Sequence, residues 1–338
     1  MEPSGIPEST TLGDYELDGL MCELQTSTFA AFNTTILYSL VFLLSLVGNS
    51  LVLWVLVKYE SLESLTNVFI LNLCLSDLVF ACLLPLWTLG YHLGWVLGDF
   101  FCKLSNLMFS TSLFSSIFFL TIMTMLRYQS VVSPLSSLRV HTLWCRVSVT
   151  TAVWAASILS SIPDTMFHKV FDDLETSSIC DYSETKWFLA SAYQHIVFFL
   201  FSMGVILFCY VEILRTLCRS RSKRHHRTVR LILTIVLAHF VSWAPYNLVL
   251  FLQTLQKLEI IQSCRAIEQL HYALLICRNL AFSHCCFNPV LYVFVGVKFR
   301  RHLKSLLQTF WLCRSQAPSS SSPPHSPRAF HSEGASFY

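Results

Sequence analysis

Residues 231–256 read LILTIVLAHFVSWAPYNLVLFLQTLQ, 26 positions without a charge between Arg230 and Lys257. A helix needs roughly 20 apolar residues to cross the hydrocarbon core of a bilayer, so length alone makes this a membrane span. Inside it lies Trp243-Ala244-Pro245. Proline removes a backbone hydrogen bond and kinks a helix. A second stretch of the same kind, Asn288-Pro289-Val290-Leu291-Tyr292, sits in another apolar segment. Two kinked membrane helices suggest a bundle built to move, and so a signal transducer rather than a static anchor.

The other runs complete the set. Residues 36–57 carry no charge, Lys103 and Arg127 bound 23 uncharged residues, and Lys186 and Glu212 bound 25. Residues 68–91 carry only Asp77, 147–163 form a short uncharged run, and 269–297 carry only Arg278. In chain order these are spans 1 to 7. Only 13% of the 338 residues are charged, against about a quarter in soluble domains, which excludes a soluble helical core. The expected fold class is an all-α membrane protein, a seven-transmembrane helix bundle with a short amphipathic eighth helix. Residues 1–30 form an acidic tail, 31–297 the bundle, 298–312 the membrane-surface helix, and 313–338 a disordered Ser/Pro-rich tail. The polar start shows no cleavable leader, so span 1 is expected to serve as its own insertion signal.

Charge gives an expected orientation. Basic residues cluster after span 1 (Lys58), between spans 3 and 4 (Arg139, Arg146), between spans 5 and 6 (Arg215 to Arg230) and after span 7 (Lys298 to Lys304). Cytoplasmic loops are enriched in Lys and Arg, which puts the N-terminus outside. The opposite face is acidic, with Glu2, Glu8, Asp14, Glu16, Asp18 and Glu23 in the tail, and Asp172, Asp173, Glu175, Asp181 and Glu184 between spans 4 and 5. Such a face attracts basic ligands and speeds their encounter.

Most of the 13 cysteines fall within spans, but Cys22, Cys102, Cys180 and Cys264 take outer positions. An even number in an oxidising compartment suggests two disulfides. Four cysteines allow three pairings, and the sequence does not choose among them. A Cys102–Cys180 bond would pin the loop between spans 4 and 5 over the bundle mouth, and Cys22–Cys264 would tie the tail to span 7. We take these as the expected pairs. Cys313 follows the basic stretch 298–311, where a lipid would anchor it at the bilayer. Asn33-Thr34-Thr35 is a glycosylation sequon set close to span 1.

Read in order, Gly48-Asn49, Leu73 to Asp77, Arg127-Tyr128, Trp154, Trp243 with Pro245, and Asn288-Pro289 with Tyr292 resemble the rhodopsin-like (class A) G-protein-coupled receptors across residues 30–312. Any one is weak, but the ordered set is specific. Within that family the chain resembles the chemokine receptors, nearest to those for C-type, lymphotactin-like ligands. The marks are Tyr15 between Asp14 and Glu16, the four outer cysteines, and the stretches Leu71 to Asp77, Ser283 to Pro289 and Phe294 to Arg300.

The resemblance implies a two-stage capture of a basic chemokine. The tail at Asp14, Tyr15 and Glu16 would grip the ligand body, with Tyr15 a candidate for sulfation. The ligand N-terminus would then enter a mouth walled by Trp87, Tyr91 and Tyr272, with Arg278 inside. An ionisable residue within a span is a functional candidate by default; alternatively Arg278 forms an internal pair with Glu268 or Asp164. Arg127, Tyr128, Tyr210, Trp243, Pro245, Asn288, Pro289 and Tyr292 would form the activation switch. Asp77 with Ser116, Asn49 and Asn288 is similar to the family's sodium cluster, although His284 replaces an Asn there; a protonated or purely hydrogen-bonded Asp77 is the alternative. Implied partners are an inhibitory-class heterotrimeric G protein, arrestin through phosphorylated Ser319 to Ser322, and the lipid bilayer.

Four positions depart from the pattern. Leu126 stands where an Asp pairs with the span 3 Arg, Leu83 where a Thr precedes the span 2 proline, Arg278 where a Glu is usual, and Ser202 near a missing span 5 proline. Leu126 keeps open a scavenging receptor that binds chemokine without coupling, and a receptor for another peptide is a further alternative. A transporter would need repeats or paired broken helices, and none is seen. No nucleophile–base spacing, metal motif or phosphate loop supports an enzyme, and no nucleic-acid partner is expected.

Overall fold

The computed structural model describes residues 27–132, 143–171, 178–219, 223–295, 301 and 308. The acidic capture residues, the Ser/Pro-rich tail and, apart from residues 301 and 308, the eighth helix lie outside the described residues. Among the described residues, seven helices are long and apolar enough to span a bilayer, from 24 to 35 residues each. At 1.5 Å per residue even the shortest exceeds the hydrocarbon thickness of about 30 Å. Leu43, Val47, Val57, Phe201, Phe208, Leu248 and Ile276 point outward and stay exposed, as lipid-facing side chains do.

Span 1 is Ser27–Tyr59 and span 3 Gly98–Val132. Span 4 is Leu143–Met166, span 5 Thr185–Arg219 and span 6 Lys223–Lys257. Span 2 is made of two helices, Leu65–Ala81 and Leu84–Leu93. The break falls just before Pro85, which occupies the first turn of the second piece, where its missing N–H costs nothing. Pro245 sits within a continuous span 6. Span 7 is interrupted at Ser283, giving Cys264–Phe282 and His284–Val295.

Pro289 explains how spans 1 and 7 join. Lacking an N–H, it leaves the Cys285 carbonyl, four residues earlier, without its helical donor. Span 1 supplies replacements: Asn49 Nδ2 donates to that carbonyl at 2.9 Å and Ser45 Oγ at 3.3 Å. Gly48 makes the approach possible, since a Cβ there would lie 2.8 Å from Pro289 Cβ. The rigid proline ring cannot swing away. Gly48→Ala is therefore expected to overpack this contact at a cost of about 1–3 kcal/mol, read as a Tm lowered by about 2–4 °C per kcal/mol in thermal unfolding of the purified chain.

Between spans 2 and 3, small residues allow close contact. Ser76 Oγ meets Ser112, Ser115 and Ser116 at 3.1, 2.8 and 3.2 Å. Trp154 of span 4 donates its indole N–H to Asn72 Oδ1 at 2.8 Å. One apolar core, including Leu73, Phe119 and Ile232, fills the Arg127 end. A second, with Tyr38, Phe80, Trp243 and Phe282, fills the middle and the other end.

That other end is closed by a two-stranded hairpin. Strand β1 (His168–Phe171) pairs antiparallel with β2 (Ile179–Tyr182), His168 opposite Tyr182. The Cys102–Cys180 disulfide ties β2 to the start of span 3, as expected. Cys264 is also disulfide-bonded; its expected partner, Cys22, lies outside the described residues. Below the hairpin, Phe167 stacks on Trp187 with ring centroids 3.4 Å apart.

Candidate functional site

A cavity of about 440 Å³ opens at the hairpin end. Asn106 and Phe109 come from span 3, His195 from span 5, Tyr246 and Gln253 from span 6, His271 and Arg278 from span 7, and Asp181 and Tyr182 from β2. Of the five acidic residues between spans 4 and 5, Asp181 and Glu184 fall among the described residues, and both border the cavity. Lys186, 2.6 Å from Glu184, holds that carboxyl below its ordinary range.

The wall is organised around Asp164, which is only 4% exposed. Its Oδ1 accepts from the Tyr182 hydroxyl at 2.6 Å and from Ser191 Oγ at 2.9 Å. Ser110 Oγ donates to Oδ2. The His168 ring is 2.8 Å from the Asp164 carbonyl. One carboxylate therefore joins spans 3, 4 and 5 to the hairpin. Burial, and then the charge on Asp164, hold the Tyr182 phenol well above its ordinary range, so it remains a donor at physiological pH. The Asp164 cluster was legible only as a candidate partner of Arg278; its hydroxyls come from three separated segments.

Arg278 lines the cavity. Asp164 is committed to the hydroxyls above. The guanidinium faces the Tyr38 hydroxyl of span 1. Trp87 stacks on Phe282 at 5.0 Å and meets Phe109 edge-on at 5.5 Å. It is thus part of the aromatic packing behind the cavity. Tyr272 is exposed, and neither it nor Trp87 lines this cavity. The Tyr91 side chain and the tail residues Asp14, Tyr15 and Glu16 lie outside the described residues.

Trp243 is buried beneath the cavity, its ring 5.7 Å from Tyr246, 5.2 Å from His284 and 6.1 Å from His239. Deeper still, Asp77 is fully buried. Asn288 Nδ2 donates to its Oδ2 at 2.7 Å, and His284 Nε2 lies 3.5 Å from Oδ1. At the far end, Arg127 donates to Thr66 Oγ1 of span 2, while the Tyr210 hydroxyl faces Thr124 and Arg127. Tyr128 packs near Phe208, 6.0 Å between centroids. The Tyr292 side chain lies outside the described residues. Trp243, His284, Asp77 and Asn288 thus form one contiguous set of contacts beneath the cavity.

The pattern of the 7 transmembrane receptor (rhodopsin family) matches residues 48–292. Human "Chemokine XC receptor 1" is 73% identical over 338 residues, all of both chains. Its mouse counterpart is 64% identical over 98% of this chain and 100% of its own. Human "C-C chemokine receptor type 4" is 39% identical over 82% of this chain and 78% of its own. These likenesses cover the helices that carry the cavity, Trp243, Asp77 and Arg127. A receptor class, with no enzymatic chemistry and a multi-pass place in the plasma membrane, follows from them. The chain belongs to the rhodopsin family of seven-transmembrane, G-protein-coupled receptors and, within it, to the chemokine receptors.

Proposed function

We propose that this receptor takes a C-type, lymphotactin-like chemokine at the hairpin end, which faces outside, and activates an inhibitory-class heterotrimeric G protein at the Arg127 end. Calcium mobilisation and chemotaxis of immune cells follow from that coupling. The full-length likeness to the XC receptors carries the ligand assignment. The basic body of the chemokine binds the acidic tail around Tyr15. Its N-terminus enters the cavity between Asp181 and Glu184 on one side and Arg278 and Lys257 on the other. The open state wins only because the ligand binds it better than the closed one. Arg127, Tyr210 and Tyr292 then rearrange as the inner end of span 6 moves, admitting the G protein. Phosphates on Ser319 to Ser322 recruit arrestin through added negative charge.

The test is G-protein activation in cells expressing the chain, with lymphotactin-type chemokine and a panel of other chemokines. A selective, inhibitory-class response is expected. Binding without a response would move the reading to a scavenger, which Leu126 motivates, and no chemokine binding at verified surface expression would overturn the ligand assignment.

A further inference from the structure

Charge is not spread evenly round the cavity. Span 6 lines it with Tyr246, Leu250, Gln253 and Lys257, and span 7 with His271, Leu274 and Arg278. Steps of three and four residues keep each set on one face of its helix. Among the described residues, these two faces bring the cations Lys257 and Arg278, an imidazole and an amide, and no carboxylate. The carboxylates of the lining come from the other wall: Asp164 of span 4, Asp181 of β2 and Glu184 just before span 5. Glu184 is paired with Lys186 at 2.6 Å, and Asp164 is wrapped by the hydroxyls of Ser110, Tyr182 and Ser191. A ligand therefore meets one wall that is basic and one whose acids are partly engaged.

The two cations stand at different depths. The Trp243 ring is 6.4 Å from Phe282 and 5.2 Å from His284, so the floor is level with the interruption of span 7. At about 1.5 Å per residue, Arg278 lies about 6 Å above Phe282 and His271 about 16 Å above it. On span 6, Tyr246 lies about 4.5 Å above Trp243 and Lys257 about 21 Å above it. Lys257 and His271 thus mark the mouth, and Arg278 the inner half. An extended chain advances about 3.3–3.6 Å per residue, so the stretch from Tyr246 to Lys257 accommodates about five residues. A side chain that meets Arg278 rather than the mouth lies short of the fifth. A guanidinium recognises a carboxylate through two parallel, charge-assisted hydrogen bonds, each about twice as strong as a neutral one. An ammonium in the same place would face a like charge.

We infer that the cavity takes an acidic peptide tip: a free amino terminus with a Glu or Asp among its first four residues, the carboxylate seated on Arg278 and the α-ammonium held toward Asp164 and Asp181. The inference deepens the function proposed above, since it rests on a peptide N-terminus entering here. On that reading the receptor selects opposite charges at two places on one ligand, a basic body for the acidic tail and an acidic tip for the wall of spans 6 and 7.

The experiment follows thermal unfolding of the purified full chain with synthetic pentapeptides that have a free amino terminus. They are identical except for Glu, Gln or Lys placed in turn at each position of an alanine–serine background. A peptide that binds only the folded chain raises Tm with concentration by mass action. At one of the first four positions, Glu is expected to give the same rise at a concentration at least about tenfold lower than Lys, with Gln between them. Acetylating the amino terminus of that Glu peptide is expected to weaken it about threefold. In Arg278→Gln the preference for Glu over Gln is expected to fall below about twofold, and in Arg278→Glu the order of Glu and Lys is expected to reverse. The native chain decides alone if those variants do not fold: Gln or Lys equal to Glu at every position, or no stabilisation by any peptide, would overturn the inference. A Glu preference that survives in folded Arg278→Gln would overturn the role given to Arg278. The same substitutions at the N-terminus of a lymphotactin-type chemokine are expected to shift its potency in the same order. Acidic peptides that stabilise the chain while no chemokine activates it would overturn the ligand assignment and leave this inference standing, so the two readings fail separately.

Discussion

Asp164→Ala is expected to weaken chemokine potency by at least about tenfold, the largest effect of any single substitution in the cavity wall. Removal of the carboxylate leaves the hydroxyls of Ser110, Ser191 and Tyr182 without their shared acceptor. An unsatisfied buried polar group costs about 1–3 kcal/mol, and about 1.4 kcal/mol is tenfold in an equilibrium. The hairpin can escape that cost by lifting off and letting Tyr182 reach water. The ligand must then re-order it, which lowers apparent affinity by the fraction of receptor with the hairpin docked. The Cys102–Cys180 bond keeps β2 tethered, so the effect is loosening rather than loss. Asp164→Asn keeps one carboxyl-side oxygen for Tyr182 and Ser191 but offers Ser110 no second acceptor, and should fall between Ala and the native chain. Chemokine dose–response at matched surface expression measures potency, and amide hydrogen exchange of 168–171 and 179–182 reports docking. Native potency with a hairpin that exchanges as slowly as before would defeat this account.

The difference between what was legible in the sequence and what was not has a physical pattern. Span positions were legible because bilayer thickness imposes a length and a lack of charge on each helix. Counting outer cysteines gave two disulfides but left three pairings open; the bond between Cys102 and Cys180 needed the structure to bring β2 against the start of span 3. The placement of residues that depends on one helix was also readable, Trp243 and Pro245 among them. The Asp164 cluster was not, because Ser110, Tyr182 and Ser191 look like ordinary polar residues until three spans converge. Arg278 shows the same limit from the other side. Its charge marked it as functional, but its neighbour, Tyr38, is 240 positions away in sequence and belongs to a helix with no charged residue nearby. Gly48 was recognised as part of a motif, yet its reason, room for the Pro289 ring, needed the packed helices.

Leu126→Asp is expected to lower ligand-independent G-protein activation by about tenfold, because it changes what restrains Arg127. In the native chain the guanidinium is held by the Thr66 hydroxyl, while Leu126 packs against the apolar core. A neutral hydroxyl is a weak restraint. A hydrogen bond to the charged guanidinium contributes about 1.5–3 kcal/mol, and a carboxylate acceptor adds a full opposite charge and a bidentate geometry that a hydroxyl lacks. A carboxylate next to Arg127 therefore favours the closed arrangement by roughly the energy that shifts a two-state population tenfold. Thr66→Ala should act in the opposite sense and raise basal activity, since it removes the restraint without touching Arg127. Linkage adds a second readout. A ligand that favours the open state must do more work against the introduced carboxylate, and less once the Thr66 hydroxyl is gone. Chemokine affinity should therefore fall in Leu126→Asp and rise in Thr66→Ala. Nucleotide exchange without ligand, scaled to the chemokine-saturated maximum at equal surface expression, measures the first effect. An unchanged or higher basal signal in Leu126→Asp would remove Arg127 restraint as the reason for this receptor's departure at position 126. A fall in chemokine affinity in Thr66→Ala would mean that Thr66 supports the fold rather than the closed state.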